Sequence, residues 1–226
     1  MFRLMPLFLL TWGISWMFAS EYNHYEIINL GGDCQIAYQM HINGIRKYAL
    51  PFDKIICTTE SLMQVLQNNF AGWLEKDKLE LVITERSKYV LDATYQTRWL
   101  HDFKLNENFI NDYDDIYQTY QRRIQRYRTL VGGNHAVVFL RKNITKAQAL
   151  ELRDLLSLLY PAPNFVLVVL ESSPDFKEDW GEKNIINLFL TKPVPYHWKG
   201  DDQAWRAIFT RLGFDITSAE KSTTEI

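Results

Sequence analysis

Cys34 stands in "LGGDCQIAY" (30–38), where an apolar run meets two glycines and then a segment of helical character. That placement suits a nucleophile. The thiolate, not the thiol, is the reactive form, and an unperturbed cysteine with a pKa of about 8.5 is mostly protonated at neutral pH. At the start of a helix, free backbone N–H groups and the helix dipole favour the anion. Gly31 and Gly32 permit a sharp turn and close approach of a substrate to the backbone. The same N–H groups can bind the oxyanion of acyl transfer. Asp33 works the other way, because a neighbouring carboxylate raises a thiol pKa unless it points away. The competing reading is a cysteine that merely sits in a tight strand–helix turn.

A cysteine nucleophile needs a base, most often histidine. The chain has five: His24, His41, His101, His135 and His197. His24 lies close to the N-terminus. His41 falls about two helical turns beyond Cys34, too far to act on it. His135 precedes a buried strand, whereas sites in open parallel sheets gather at the carboxyl ends of strands. His197 sits in the loop "VPYHWKG", and His101 sits in "RWLHDFKL" beside Asp102. Each histidine also reads as a surface or structural residue.

The elements that must position these groups follow from periodicity. Glu26–Leu30 reads as a buried strand broken by the glycines, and 34–42 reads as a short helix stopped by Asn43-Gly44. Thr59 or Ser61 caps a helix through "LMQVLQNNF". "LELVI" and "KYVLDATY" alternate as strands do. Residues 107–129 form a helix, with Ile110, Tyr113, Ile116, Tyr117, Tyr120, Ile124 and Tyr127 on one stripe. "AVVFL" (136–140), "FVLVVL" (165–170) and "IINLFL" (185–190) read as buried strands. Helices at 147–160 and 201–212 accompany them. The order predicts a single α/β domain: a mainly parallel sheet with helices on both faces.

At 226 residues and 47% hydrophobic, the chain can bury a substantial core. The 7 Trp, 12 Tyr and 13 Phe read first as core filling and second as a carbohydrate or peptide groove. A net charge of −2 makes no electrostatic case for nucleic acid or an acidic membrane. The two cysteines, Cys34 and Cys57, form no disulfide framework, and no Cys/His cluster has zinc spacing, so the reading calls for no metal and no cofactor. After Arg3 the apolar run "LMPLFLLTWGISWMFA" ends at Ser20-Glu21, like a secretory signal peptide. Residues 1–20 are thus read as a leader of an exported (periplasmic or secreted) protein, with an uncleaved membrane anchor as the alternative. The domain then spans 21–215, and 216–226 is a polar tail.

In that order, "LGGDCQIAYQM", "ALPFDKI", "WLHDF" and "YQRRIQRY" resemble the pattern of a bacterial family of unknown function named for papain-like cysteine peptidases. The matching residues are Leu30, Gly31 and Cys34; Pro51, Phe52 and Asp53; His101, Asp102 and Phe103; Arg122 and Arg123; and Arg141 after "VVFL". Two positions depart from the pattern: Lys54 replaces a Trp, and Gly32-Asp33 replaces a small residue plus Asn. The resemblance implies a thiol hydrolase with Cys34 as nucleophile, His101 as base and then acid, and Asp53 or Asp102 orienting the imidazole. Adjacent side chains rarely face each other, which favours Asp53. Gly31, Gly32, Arg123 and Arg141 are the candidate substrate-binding residues, for a peptide or another acyl or glycan substrate. Two other classes stay open: an esterase of the Gly-Asp-Ser type with Cys in place of Ser, and a non-catalytic exported protein that binds a glycan or an anion.

Overall fold

A computed structural model describes residues 25–160, 165–214 and 216. The expected leader at 1–20 and the polar tail beyond 216 lie outside the described residues. Four strands form a parallel sheet in the order β1-β6-β7-β8: β1 is Tyr25–Asn29, β6 Ala136–Lys142, β7 Phe165–Glu171 and β8 Ile185–Phe189. Strand β7 shows why it is buried on both sides. Leu167 and Val169 enter one core, while Val166, Val168 and Leu170 enter the other, as the two-residue period requires.

The helices divide between those two cores. Helix α1 (Gln35–Ile42) supplies Ile36 and Met40 to the second core, and α5 (Asp202–Arg211) supplies Trp205, Ile208 and Phe209. Helices α2 (Thr59–Gln67), α3 (Tyr113–Val131) and α4 (Lys146–Leu159) cover the other face. The expected parallel sheet with helices on both faces is therefore present. Beside it stands a second, antiparallel sheet in the order β2-β5-β4-β3, from β2 (Ile55–Ile56), β3 (Leu79–Ile83), β4 (Lys88–Asp92) and β5 (Thr97–Trp99). Its Ile55, Leu79, Val90 and Trp99 join the first core, so the two sheets share apolar contacts.

Ten buried aromatic side chains belong to that core. Phe52, Phe70, Trp73, Trp99, Tyr120 and Tyr127 form a chain of edge-on and tilted rings, with Phe70–Tyr127 at 5.4 Å and Trp73–Trp99 at 5.5 Å. Each such pair adds about 0.5–1.5 kcal/mol beyond area burial.

Two helix starts differ from expectation for local reasons. Thr58, not Thr59 or Ser61, caps α2, because its hydroxyl accepts the Ser61 N–H at 3.1 Å. Helix α3 begins at Tyr113 rather than near 107, behind a 3₁₀ turn at Phe109–Asp112. The side chain of Asn106 accepts the Asn108 N–H and its carbonyl accepts the Phe109 N–H, which holds this stretch in a turn.

Candidate active site

The site is built where β1 and β6 end side by side. Asn29, the last residue of β1, is fully buried and accepts the Gly31 N–H at 2.9 Å through Oδ1. Its Nδ2 donates to Asp53 at 3.4 Å. The chain then turns through Gly31 (φ +78°) and Gly32 (φ +102°), a left-handed path that side chains resist. Space also demands glycine at 31, since a Cβ there would stand 3.2 Å from Cys57 Sγ and 3.3 Å from Phe52 Cβ. Cys34 follows as the N-cap of α1, partly buried, with its carbonyl accepting the Tyr38 N–H. The expected helix-start position is thus found. Backbone N–H groups of Gly32, Asp33 and Cys34 have no acceptor among the described residues.

Two consecutive cations at the end of β6 fasten this turn. Arg141 is buried beneath it, donating to the Leu30 carbonyl (2.8 Å), the Cys57 carbonyl (2.9 Å) and Cys57 Sγ (3.6 Å). Its Nη1 lies 3.4 Å from where a Cβ on Gly32 would be. Lys142 Nζ pairs with Asp33 Oδ2 at 2.7 Å and donates to Gln35 Oε1 at 2.9 Å. Asp33 Oδ1 in turn accepts the Gln35 N–H at 2.9 Å. Asp33 therefore takes for itself one of the helix-start amides that the sequence reading offered to a substrate oxyanion.

Of the two opposing influences read from the sequence at Cys34, the helix start and the Asp33 carboxylate, the carboxylate prevails. Burial, then the Asp33 carboxylate, then that of Asp102, push its thiol up to about 11, against the pull of Lys54 and Lys142. Free helix-start amides do not outweigh desolvation plus two nearby carboxylates. The resting group is a neutral thiol.

Asp102 is close enough for its charge to act on Cys34, and it is the centre of a second cluster. Tyr120 donates to its Oδ2 at 2.7 Å, while Lys54 Nζ and Arg123 Nη2 each stand 3.9 Å from Oδ1. His101 lies next to it on the bend after β5, exposed and without a side-chain hydrogen bond or ion pair among the described residues. No hydrogen bond joins His101 to Cys34. Asp53 is buried and occupied: Arg46 reaches its Oδ2 from Nη2 (2.8 Å) and Nε (2.9 Å), and the Leu50 N–H donates at 3.0 Å. Burial pushes its carboxyl up against those partners.

The chain-order neighbours sort as follows. Arg122 is exposed and bonded to Thr119, whereas Arg123 is buried over the Tyr120 ring at 4.6 Å. His135 sits at the opposite end of β6 from Cys34, as anticipated. His197 lies in the expected loop, and the carbonyl of the next residue, Trp198, accepts a hydrogen bond from Gln35 Nε2 at 2.7 Å. Sequence reasoning missed the roles of Asn29, Gln35, Tyr120 and Lys142. The available signals were a lone amide ending an apolar strand and paired cations ending another. Among the described residues no group of three or more His, Cys, Asp or Glu side chains could hold a metal ion.

A family model described as "Putative papain-like cysteine peptidase (DUF1796)" matches residues 25–167, a span that includes Cys34, Asp53, His101, Asp102, Arg123 and Arg141. An uncharacterized protein of Acanthamoeba polyphaga mimivirus is 27% identical over 214 residues, covering 80% of this chain and 95% of its own length. No solved structure matches the chain.

Proposed function

We propose that this chain, which belongs to the DUF1796 family described as putative papain-like cysteine peptidases, is a thiol hydrolase in which Cys34 attacks an acyl carbonyl and His101 moves the proton. The observation that carries the reading is the setting of Cys34. It is a partly buried cysteine at a helix start, on a glycine turn with undonated amides, beyond the carboxyl ends of two parallel strands.

Because the resting sulfur is a thiol, its proton must leave as the bond to carbon forms. His101 takes that proton while the sulfur–carbon bond forms and the carbonyl electron pair moves onto oxygen, facing the amides of Gly32 and Cys34. Collapse of the tetrahedral intermediate breaks the bond to the leaving amine or alkoxide, which receives the proton from His101. Water, deprotonated by His101, then attacks the thioester, releases the acid and restores the thiol. Asp102 supplies the negative charge beside this histidine. Asp53, held by Arg46, Asn29 and Leu50, fixes the "PFD" turn that presents Lys54.

The test is acyl transfer to the sulfur. Mixed with a p-nitrophenyl ester, the protein should release nitrophenol and carry the acyl group on the Cys34 peptide by mass spectrometry. Cys34→Ala and His101→Ala should both remove turnover. Turnover that survives Cys34→Ala refutes the reading. One observation favours a variation, in which His197 is the base: the loop carrying it docks on Gln35. Its Nδ1 already accepts the Lys199 N–H at 3.3 Å, so as a base it must first give up that contact, which ranks it below His101. His197→Ala beside His101→Ala separates the two.

The N-terminal segment is proposed as an export leader or an anchor. Among the described residues no helix is long and apolar enough to cross a membrane. N-terminal sequencing of the natural protein should begin near Glu21 if the leader is cleaved, and an intact Met1 on a cytoplasmic product would rule out both cleavage and export.

A further inference from the structure

The charges around Cys34 are not evenly paired. Asp33 has Lys142, and Asp53 has Arg46, each at 2.7–2.9 Å. Asp102 instead stands between two cations, and neither reaches it: Lys54 Nζ and Arg123 Nη2 are both 3.9 Å from the same oxygen, beyond hydrogen-bond range. Its other oxygen is taken by Tyr120. The Arg123 side chain is nine-tenths buried, and its Nη1 is shut off from solvent with no partner among the described residues. A buried guanidinium with an unused N–H is costly and rare in a folded protein. The Lys54 side chain is 44% exposed and that of Arg123 10%, so Lys54 is the more accessible of the two cations. Arg141, the other candidate from the sequence, is bonded to carbonyls beneath the turn, and Arg122 faces outward.

From this arrangement we infer that Lys54 and Arg123 form a subsite for a carboxylate carried by the acyl substrate, on the Asp102 side of Cys34. The inference rests on the thiol hydrolase reading and names its substrate class: an acyl compound with a free carboxylate close to the scissile carbonyl. A carboxylate entering between the two cations accepts from Lys54 Nζ and from the unused Arg123 N–H groups, and the two positive charges then face two negative ones. The planar fork of arginine suits a carboxylate, and lysine supplies a movable charge. Lys54 stands where the family pattern described above has Trp, so the subsite is a property of this chain rather than of the motif.

The test needs no known substrate. Iodoacetate and iodoacetamide alkylate the same sulfur and differ in one carboxylate. Their rate ratio at Cys34, read by peptide mass spectrometry at mildly alkaline pH, is compared between the folded protein and the urea-unfolded chain. The folded protein should favour iodoacetate by about tenfold over the unfolded reference. Lys54→Met and Arg123→Met should each cut that preference by about fivefold, and Lys54→Arg should keep it. Lys54 is partly exposed, so its variant folds even if Arg123→Met does not. A folded ratio no higher than the unfolded one overturns the subsite, as does a preference that survives Lys54→Met. A protein that prefers iodoacetate yet transfers no acyl group from esters fails the hydrolase reading alone. One that hydrolyses esters without the preference fails the subsite alone.

Discussion

A thiol held near pKa 11 makes a specific kinetic demand on Cys34. Alkylation by neutral iodoacetamide should be slow at neutral pH and climb steadily toward about 11, where an ordinary cysteine would already have levelled off. Asp33→Asn removes the second-largest cause of the shift, so it should move that profile to lower pH and speed alkylation at neutral pH. A profile that does not move assigns the shift to burial and Asp102. The fold favours the protonated sulfur, so this contribution to stability is present below the ordinary cysteine value and lost as pH rises through about 11. Cys57 is a contrasting case with the same side chain. It is buried against Gly31 and under Arg141, and Cys57→Ala should cost about 1–2 kcal/mol in chemical denaturation while leaving acyl transfer intact. Cys34→Ala should do the reverse, with an unchanged melting temperature and no turnover. If instead Cys34→Ala melts far below wild type, the sulfur is a packing group.

At the scale of elements, the buried Asp53 ties the "PFD" turn to β1 and to Arg46. Asp53→Ala would strand a guanidinium, an amide side chain and the Leu50 N–H, and breaking such a buried pair costs about 3–5 kcal/mol. A large fall in urea midpoint is the expected readout, and a change under about 1 kcal/mol would mean water replaces the carboxylate. Gly200 is a second lever. At φ +84° a Cβ there would lie 2.7 Å from Trp205 Nε1 and 3.0 Å from the Gln35 side chain. Gly200→Ala should therefore lower the melting temperature and also disturb the Gln35–Lys142–Asp33 chain of contacts beside Cys34. These elements were largely legible in the sequence, because long apolar runs and helical stripes are local: "FVLVVL" and the α3 tyrosines needed no partner to be recognised. The cap position of Cys34 was legible for the same reason. What was not legible is what long-range contact decides. Asn29, Lys142 and Tyr120 acquire their roles from residues far along the chain, and the upward shift of Cys34 depends in part on Asp102, whose distance no spacing rule reports.

The whole molecule is joined by the parallel sheet, with one core on each face and the antiparallel sheet sharing the first of them. Trp73 and Trp99 report on one core and Trp205 on the other, all nearly inaccessible to solvent. Unfolding followed by tryptophan fluorescence and by far-ultraviolet circular dichroism should give one coincident transition, and separated midpoints would show that the antiparallel sheet melts on its own. Both cysteines are free, so a reductant should leave that transition unchanged. The distance along the chain between the partners at the glycine turn also bears on how the protein is made. Arg141 meets Leu30 across 111 positions, and Gln35 meets Trp198 across 163. While the chain is being synthesised, Cys34 leaves the ribosome long before the groups that enclose it. The nascent sulfur lacks the burial and the Asp102 charge that, with Asp33, push it up to about 11 in the finished fold. The unfinished polypeptide thus carries the more easily ionised and more easily oxidised form of this residue, and finishing the fold is what shelters it.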